Sequence, residues 1–97
     1  MLTAEDVRTR LYPIFEKNGI RKAVLFGSVA RGAQQYGSDI DILVDSGLYG
    51  LQFFGLLEDV VNALGEQVDL IDERQLNAES DMRREIDRTG IVIYERS

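Results

Sequence analysis

The 97-residue chain has no cysteine, no histidine and no tryptophan, and only one proline, Pro13. Without cysteine there is no disulfide staple, no thiolate nucleophile and no thiolate zinc site; without histidine the commonest general base and metal ligand is missing too. Any catalysis must therefore rest on carboxylates, hydroxyls, cations or a bound ion. No apolar run approaches the ~20 residues that span a bilayer. The opening Met1-Leu2-Thr3-Ala4-Glu5-Asp6 is too acidic for a secretory leader. A cytoplasmic chain with no membrane contact is the expectation. Repeats, low-complexity tracts and linkers are also lacking, so residues 1–97 read as one domain with no room for a second independent core.

What is present is ordinary globular composition, 44% hydrophobic and 29% charged, which disfavours disordered and coiled-coil classes. Seventeen acidic residues against eleven basic give a net charge of −6. That balance argues against a general nucleic-acid binder, whose affinity comes mainly from neutralising phosphates, and no direct nucleic-acid binding is expected. The charge is nonetheless segregated: residues 1–32 hold six basic and three acidic side chains, residues 33–97 five and fourteen. A basic strip beside an acidic cluster fits two solvated surfaces, and it also fits a phosphate-and-metal site.

Hydrophobic spacing predicts alternating helices and strands. Thr3 and Asp6 resemble a capping box, after which Val7, Leu11, Ile14 and Phe15 form one helical face that stops before Gly19, with a kink expected at Pro13. Ala23-Val24-Leu25-Phe26 and Ile40 to Val44 read as buried strands, with a loop and one helical turn between them. Phe53, Leu57, Val60, Val61 and Leu64 recur at helical spacing up to Gly65, and Val68 to Ile71 reads as a third strand. A polar helix over Glu79 to Arg88, with Met82 and Ile86 inward, then leads through Gly90 to a closing strand, Ile91 to Tyr94. The fold class is α/β, with one small sheet and flanking helices.

The chemistry concentrates in Leu25-Phe26-Gly27-Ser28-Val29-Ala30-Arg31-Gly32 and in Ser38-Asp39-Ile40-Asp41-Ile42-Leu43-Val44. Side chains alternate along a strand, so Asp39 and Asp41 share one face while Ile40 and Ile42 take the other. Two carboxylates about 6.6 to 6.8 Å apart along a strand repel one another unless a cation lies between them, and their oxygens suit a hard divalent ion. Alone, Asp-x-Asp also fits an exposed edge strand. Gly27-Ser28 falls where a buried strand turns into a short helix; glycine permits close backbone approach there, and the N–H groups with the Ser28 hydroxyl suit a phosphate. Gly-Ser, ten residues and Asp-x-Asp coincide by chance in roughly a few chains per thousand.

This segment resembles the signature of the polymerase-beta-like nucleotidyltransferase superfamily. The short chain, the Leu-Phe-Gly-Ser-x-Ala-Arg-Gly form and Val68-Asp69-Leu70-Ile71 after Leu64-Gly65 are similar to its minimal nucleotidyltransferase (MNT) antitoxins. The resemblance implies ATP as substrate, two Mg²⁺ ions and a partner with a HEPN domain, a toxin silenced by transfer of AMP onto a tyrosine. It places Gly27 and Ser28 on the triphosphate, and Asp39, Asp41 and Asp69 as catalytic carboxylates and metal ligands. Asp69 then suits the proton-accepting role; Asp72 is an alternative on the opposite face of a straight strand. Arg31 either steadies a phosphate or pairs with a surface acid. A masking module without catalysis, and a transferase for a small hydroxyl compound such as an aminoglycoside, are the rival functions.

Other features read as ordinary surface or core. Arg83, Arg84 and Arg88 among Asp81, Glu85 and Asp87 suggest a solvated, ion-paired helix face. Leu48-Tyr49-Gly50-Leu51-Gln52-Phe53-Phe54 has more large apolar residues than one helix face can bury, which points to core packing with some exposed next to the acidic strand as a partner patch. Tyr12, Tyr36 and Tyr94 are read as structural, Tyr36 with a possible stacking role on a base.

Overall fold

The computed structural model describes residues 2–32 and 39–96. The expected capping box forms: the Thr3 hydroxyl accepts from the Asp6 N–H at 3.1 Å and the Asp6 carboxylate accepts from the Thr3 N–H at 3.0 Å, opening helix α1 at Ala4–Lys17. α1 runs through Pro13, which lies on the exposed side together with Thr9. The Thr9 carbonyl that proline leaves without a partner is there within reach of water, so a proline costs less than in a buried turn. Strand β1 (Lys22–Phe26) leads directly into a single helical turn, α2 (Gly27–Ala30). Strand β2 (Ile40–Asp45), helix α3 (Leu51–Leu64) and strand β3 (Val68–Asp72) form a parallel crossover. Helix α4 (Asp81–Thr89) and strand β4 (Ile91–Glu95) close the chain.

The sheet order is β3-β2-β1-β4, with β1 antiparallel to both of its neighbours and β2 parallel to β3. One face carries Ala23, Leu25, Ile40, Ile42, Val44, Leu70 and Ile93 against Val7, Leu11 and Phe15 of α1 and Leu56, Val60 and Leu64 of α3. Among the described residues the other face is covered by α4, through Ile86 on Val24, Phe26 and Leu43, with Leu76 packed beside them. Tight closure of α4 onto β1 requires Gly90, where an added Cβ would lie 2.6 Å from Val24 Cγ1. A nine-residue helix leaves part of this face of the sheet open, and Asp41 of β2 and Asp69 of β3 lie there.

Of the residues expected on the inward face of α3, Phe53, Leu57, Val60 and Leu64 pack in the core, Val61 does not, and Leu56, not among those expected, is 1% exposed and is the first fully buried residue of the helix. The helix is apolar over so much of its circumference that spacing alone admits more than one inward face. Within the Leu48–Phe54 stretch, Leu48 and Phe53 pack on the core, whereas Tyr49, Leu51 and Phe54 are exposed. That exposed group follows the end of β2 and so lies away from Asp39 and Asp41, which stand at the strand's start. Met82, expected inward, is also exposed.

Candidate active site

Asp41 sits on β2 directly opposite Phe26, the last residue of β1, and directly beside Asp69 of β3 in the parallel register. Adjacent strands are about 4.8 Å apart, so these two carboxylates rise side by side from one face. Asp39 immediately precedes β2 and lines the same hollow as Asp41. The expectation that Asp39 and Asp41 leave Ile40 and Ile42 to the core holds, for both isoleucines are fully buried.

Gly27 has φ +72°, and the place of its absent Cβ is taken by the Asp41 carboxylate, whose Cγ lies 3.1 Å from where that Cβ would stand. Any side chain here would meet both a left-handed backbone and the Asp41 oxygen. The glycine thus admits a carboxylate of the chain itself. Ser28 follows in α2, and Arg31 caps that turn, its N–H donating to the Gly27 carbonyl at 3.2 Å.

The open hollow has a volume of about 560 Å³ and is lined by Phe26, Gly27, Ser28, Arg31, Asp39 and Asp41 together with Met82 and Glu85 of α4. Of the residues singled out for the site, Gly27, Ser28, Arg31, Asp39 and Asp41 line this hollow, whereas Asp69 is not in its lining and stands beside Asp41 on the adjoining strand. Arg31 pairs with a carboxylate as one of its two expected readings held: its Nη1 donates to Glu85 Oε1 at 2.6 Å. Glu85 and Met82 come from a helix read as solvated surface or core. No sequence signal marked them, because their place at the site depends on how α4 crosses the sheet. The rest of that helix behaves as expected, with Arg84 on Asp81 at 3.2 Å and Arg83 bound to Glu73. Tyr36 and Ser38 lie outside the described residues.

Burial pushes the Asp41 carboxyl above the ordinary 3.8, and the charges of Asp69, Asp39 and Glu85 push it the same way against the opposing pull of Arg31. Burial is thus the first cause and the neighbouring acids the second. Asp72 has a different task. It is 2% exposed on the opposite face, accepts from the Ser46 hydroxyl, and caps the turn at Glu73–Gln75 through the Arg74 N–H at 3.2 Å. It is a structural carboxylate, which leaves Asp69 as the third acid of the site face.

Three carboxylates of this kind suit a hard, oxygen-liganded divalent cation. Among the described residues no three acids are already drawn together into a ligand cluster. A narrower hollow of about 310 Å³ on the same face, at the far end of α4, is lined by Lys22, Asp45, Glu73 and Arg83 among others and contains none of these acids.

An antiparallel and parallel mixed sheet with a Gly-Ser turn facing paired aspartates defines a nucleotidyltransferase. Residues 9–97 match the sequence profile of the polymerase beta nucleotidyltransferase family, and the chain belongs to that family. It is 37% identical over 84 residues to the protein adenylyltransferase MntA of Thermococcus cleftensis, covering 80% of this chain and 85% of that one. It is 35% identical over 72 residues to a protein of Methanocaldococcus jannaschii provisionally named a protein adenylyltransferase, covering 72% of this chain and 77% of that one. Among solved structures, a toxin–antitoxin complex with AMP-PNP contains a chain that superposes with a TM-score of 0.77 at 24% identity, covering 93% of this chain and 74% of the other. That likeness shows the shared fold. Among the described residues no helix is long and apolar enough to cross a membrane.

Proposed function

We propose that residues 1–97 form one metal-dependent protein adenylyltransferase, the antitoxin of a toxin–antitoxin pair, which moves AMP from ATP onto a tyrosine hydroxyl of a HEPN-domain toxin in the cytoplasm. The observation that carries this reading is the placing of Asp39 and Asp41 in one hollow beside the Gly27-Ser28 turn, with Asp69 next to Asp41 on the adjoining strand. The names of the relatives support the protein acceptor. So does a chain of the same fold at 20% identity and a TM-score of 0.71, from a complex of an MNT antitoxin with a tri-AMPylated HEPN toxin of Shewanella oneidensis.

In this reading Gly27 and Ser28 bind the triphosphate, Arg31 adds a cationic contact, and Asp39, Asp41 and Asp69 hold two Mg²⁺ ions. Bound Mg²⁺ neutralises charge developing on the phosphates. The acceptor oxygen forms a bond to the α-phosphorus, the bond from that phosphorus to the bridging oxygen breaks, and pyrophosphate leaves. The hydroxyl proton passes to Asp69, whose exposed position on β3 suits an incoming acceptor. Phe26 and Met82 supply the apolar part of the wall.

A masking module would need none of these acids. Its one supporting feature is the exposed Tyr49, Leu51 and Phe54 group at the other end of β2. A small-molecule transferase is disfavoured by the protein-directed names of the relatives. The test is a thermal scan with and without Mg²⁺-ATP. A ligand at ~100 times its dissociation constant adds about 2.7 kcal/mol, several degrees for a domain of this size. A shift lost in Asp39→Asn/Asp41→Asn is expected; no shift in the unmutated chain contradicts the nucleotide site.

A further inference from the structure

Resting on the nucleotide-site reading, we propose that Glu85 of α4 sets the affinity of the site for nucleotide phosphates by holding Arg31 in the empty chain and yielding it when phosphates enter. Four observations converge on this. The pair spans the mouth of the hollow from the end of α2 to α4, and both side chains line it. Its two backbones are anchored: Ile86, next to Glu85, is buried against Val24, Phe26 and Leu43, the Glu85 carbonyl accepts from Thr89 Oγ1 at 2.9 Å, and Arg31 caps α2. Glu85 is therefore presented to the mouth by the packing of α4, and Arg31 by the turn that starts at Gly27.

Third, the side chains of Arg31 and Glu85 keep 46% and 40% of their exposure. An ion pair this wet is worth about 0 to 1 kcal/mol, so a phosphate, which accepts two parallel N–H bonds from a guanidinium, exchanges for it readily. Fourth, Glu85 adds negative charge to a hollow already containing Asp39 and Asp41. A carboxylate is a poor neighbour for a triphosphate, and its presence is understandable where it occupies the cation until phosphate replaces it. Glu85 is thus a competitor for Arg31, and affinity falls by the work of separating the two.

The test is calorimetric titration of the chain with α,β-methylene-ATP in the presence of Mg²⁺; its carbon bridge replaces the α–β oxygen that transfer would cleave, so binding is read without turnover. Glu85→Gln should tighten binding about three- to tenfold, the size of a weak, exposed ion pair with its added repulsion removed. Structural damage weakens binding and does not tighten it, so the direction itself separates the roles. Arg31→Ala should weaken binding, and in the Arg31→Ala background Glu85→Gln should gain less than twofold. Unchanged or weaker binding by Glu85→Gln overturns the proposal, as does an equal gain without Arg31, which would make Glu85 a bare repulsive charge. Failure of the unmutated chain to bind at all removes the nucleotide site itself, and this inference with it.

Discussion

Asp41 carries the electrostatic cost of the site, because it is half-buried, faces Asp69 across the strand gap and fills the space left by Gly27. Its carboxyl titrates above 3.8 in the folded chain. A raised folded value means the ionised form is penalised at neutral pH; the penalty is relieved as pH falls through that raised value and is gone below the unfolded value of about 3.8. Asp41→Asn should accordingly raise the melting temperature at pH 7, with the gain shrinking on acidification and vanishing below about pH 3.8. Melting curves across that range check it, and a lower melting temperature at pH 7 would show that the carboxylate is compensated. The same residue orders the functional losses. Ser28→Ala removes one hydroxyl beside backbone N–H groups that any residue supplies, and should weaken AMP transfer by about 1 to 3 kcal/mol, whereas Asp41→Asn should reduce it far more. Transfer that survives Asp41→Asn and disappears with Ser28→Ala would reverse the assignment. These residues were legible in the sequence because period-two alternation fixes which face an Asp-x-Asp presents. Glycine's role was legible only in part: the strand-to-helix turn was evident, but its neighbour proved to be Asp41.

Elements were legible where one signal dominated. The capping box and the Gly65 stop are local chemistry, and α1 begins and α3 ends where those signals place them. Thr3→Ala should cost about 1 kcal/mol through loss of the cap. The inward face of α3 was legible in part: Phe53, Leu57, Val60 and Leu64 face the core as their spacing implied, but large apolar residues surround the first turns and only packing on the sheet selects Leu56 over Val61. Leu56→Ala should therefore cost about 2 to 5 kcal/mol in urea unfolding, while Leu51→Ala, at a residue 88% exposed, should change stability by less than about 0.5 kcal/mol. Equal losses at the two positions would contradict the register. The contribution of α4 was invisible for a related reason. Its spacing identifies a polar helix, but the crossing that brings Met82 and Glu85 to the hollow is a tertiary fact, set by Ile86 and the close contact at Gly90.

At the scale of the whole molecule the segregated charge finds its structural counterpart in an unequally covered sheet. Among the described residues α1 and α3 seal one face and α4 covers part of the other, where Asp39, Asp41 and Asp69 stand. That arrangement leaves the acids on an open part of the sheet, as the proposed protein acceptor requires. The central claim is catalysis, and turnover distinguishes it from masking because a masking protein cannot silence more than one equivalent of partner. The direct measurement incubates a large excess of the proposed HEPN-domain partner with a small amount of this chain and Mg²⁺-ATP, removes the chain, and records the partner's mass and activity. The expected result is partner that has gained the mass of AMP and stays inactive, with both effects lost in Asp39→Asn/Asp41→Asn. Partner that regains full activity on separation, with no added mass, would contradict it.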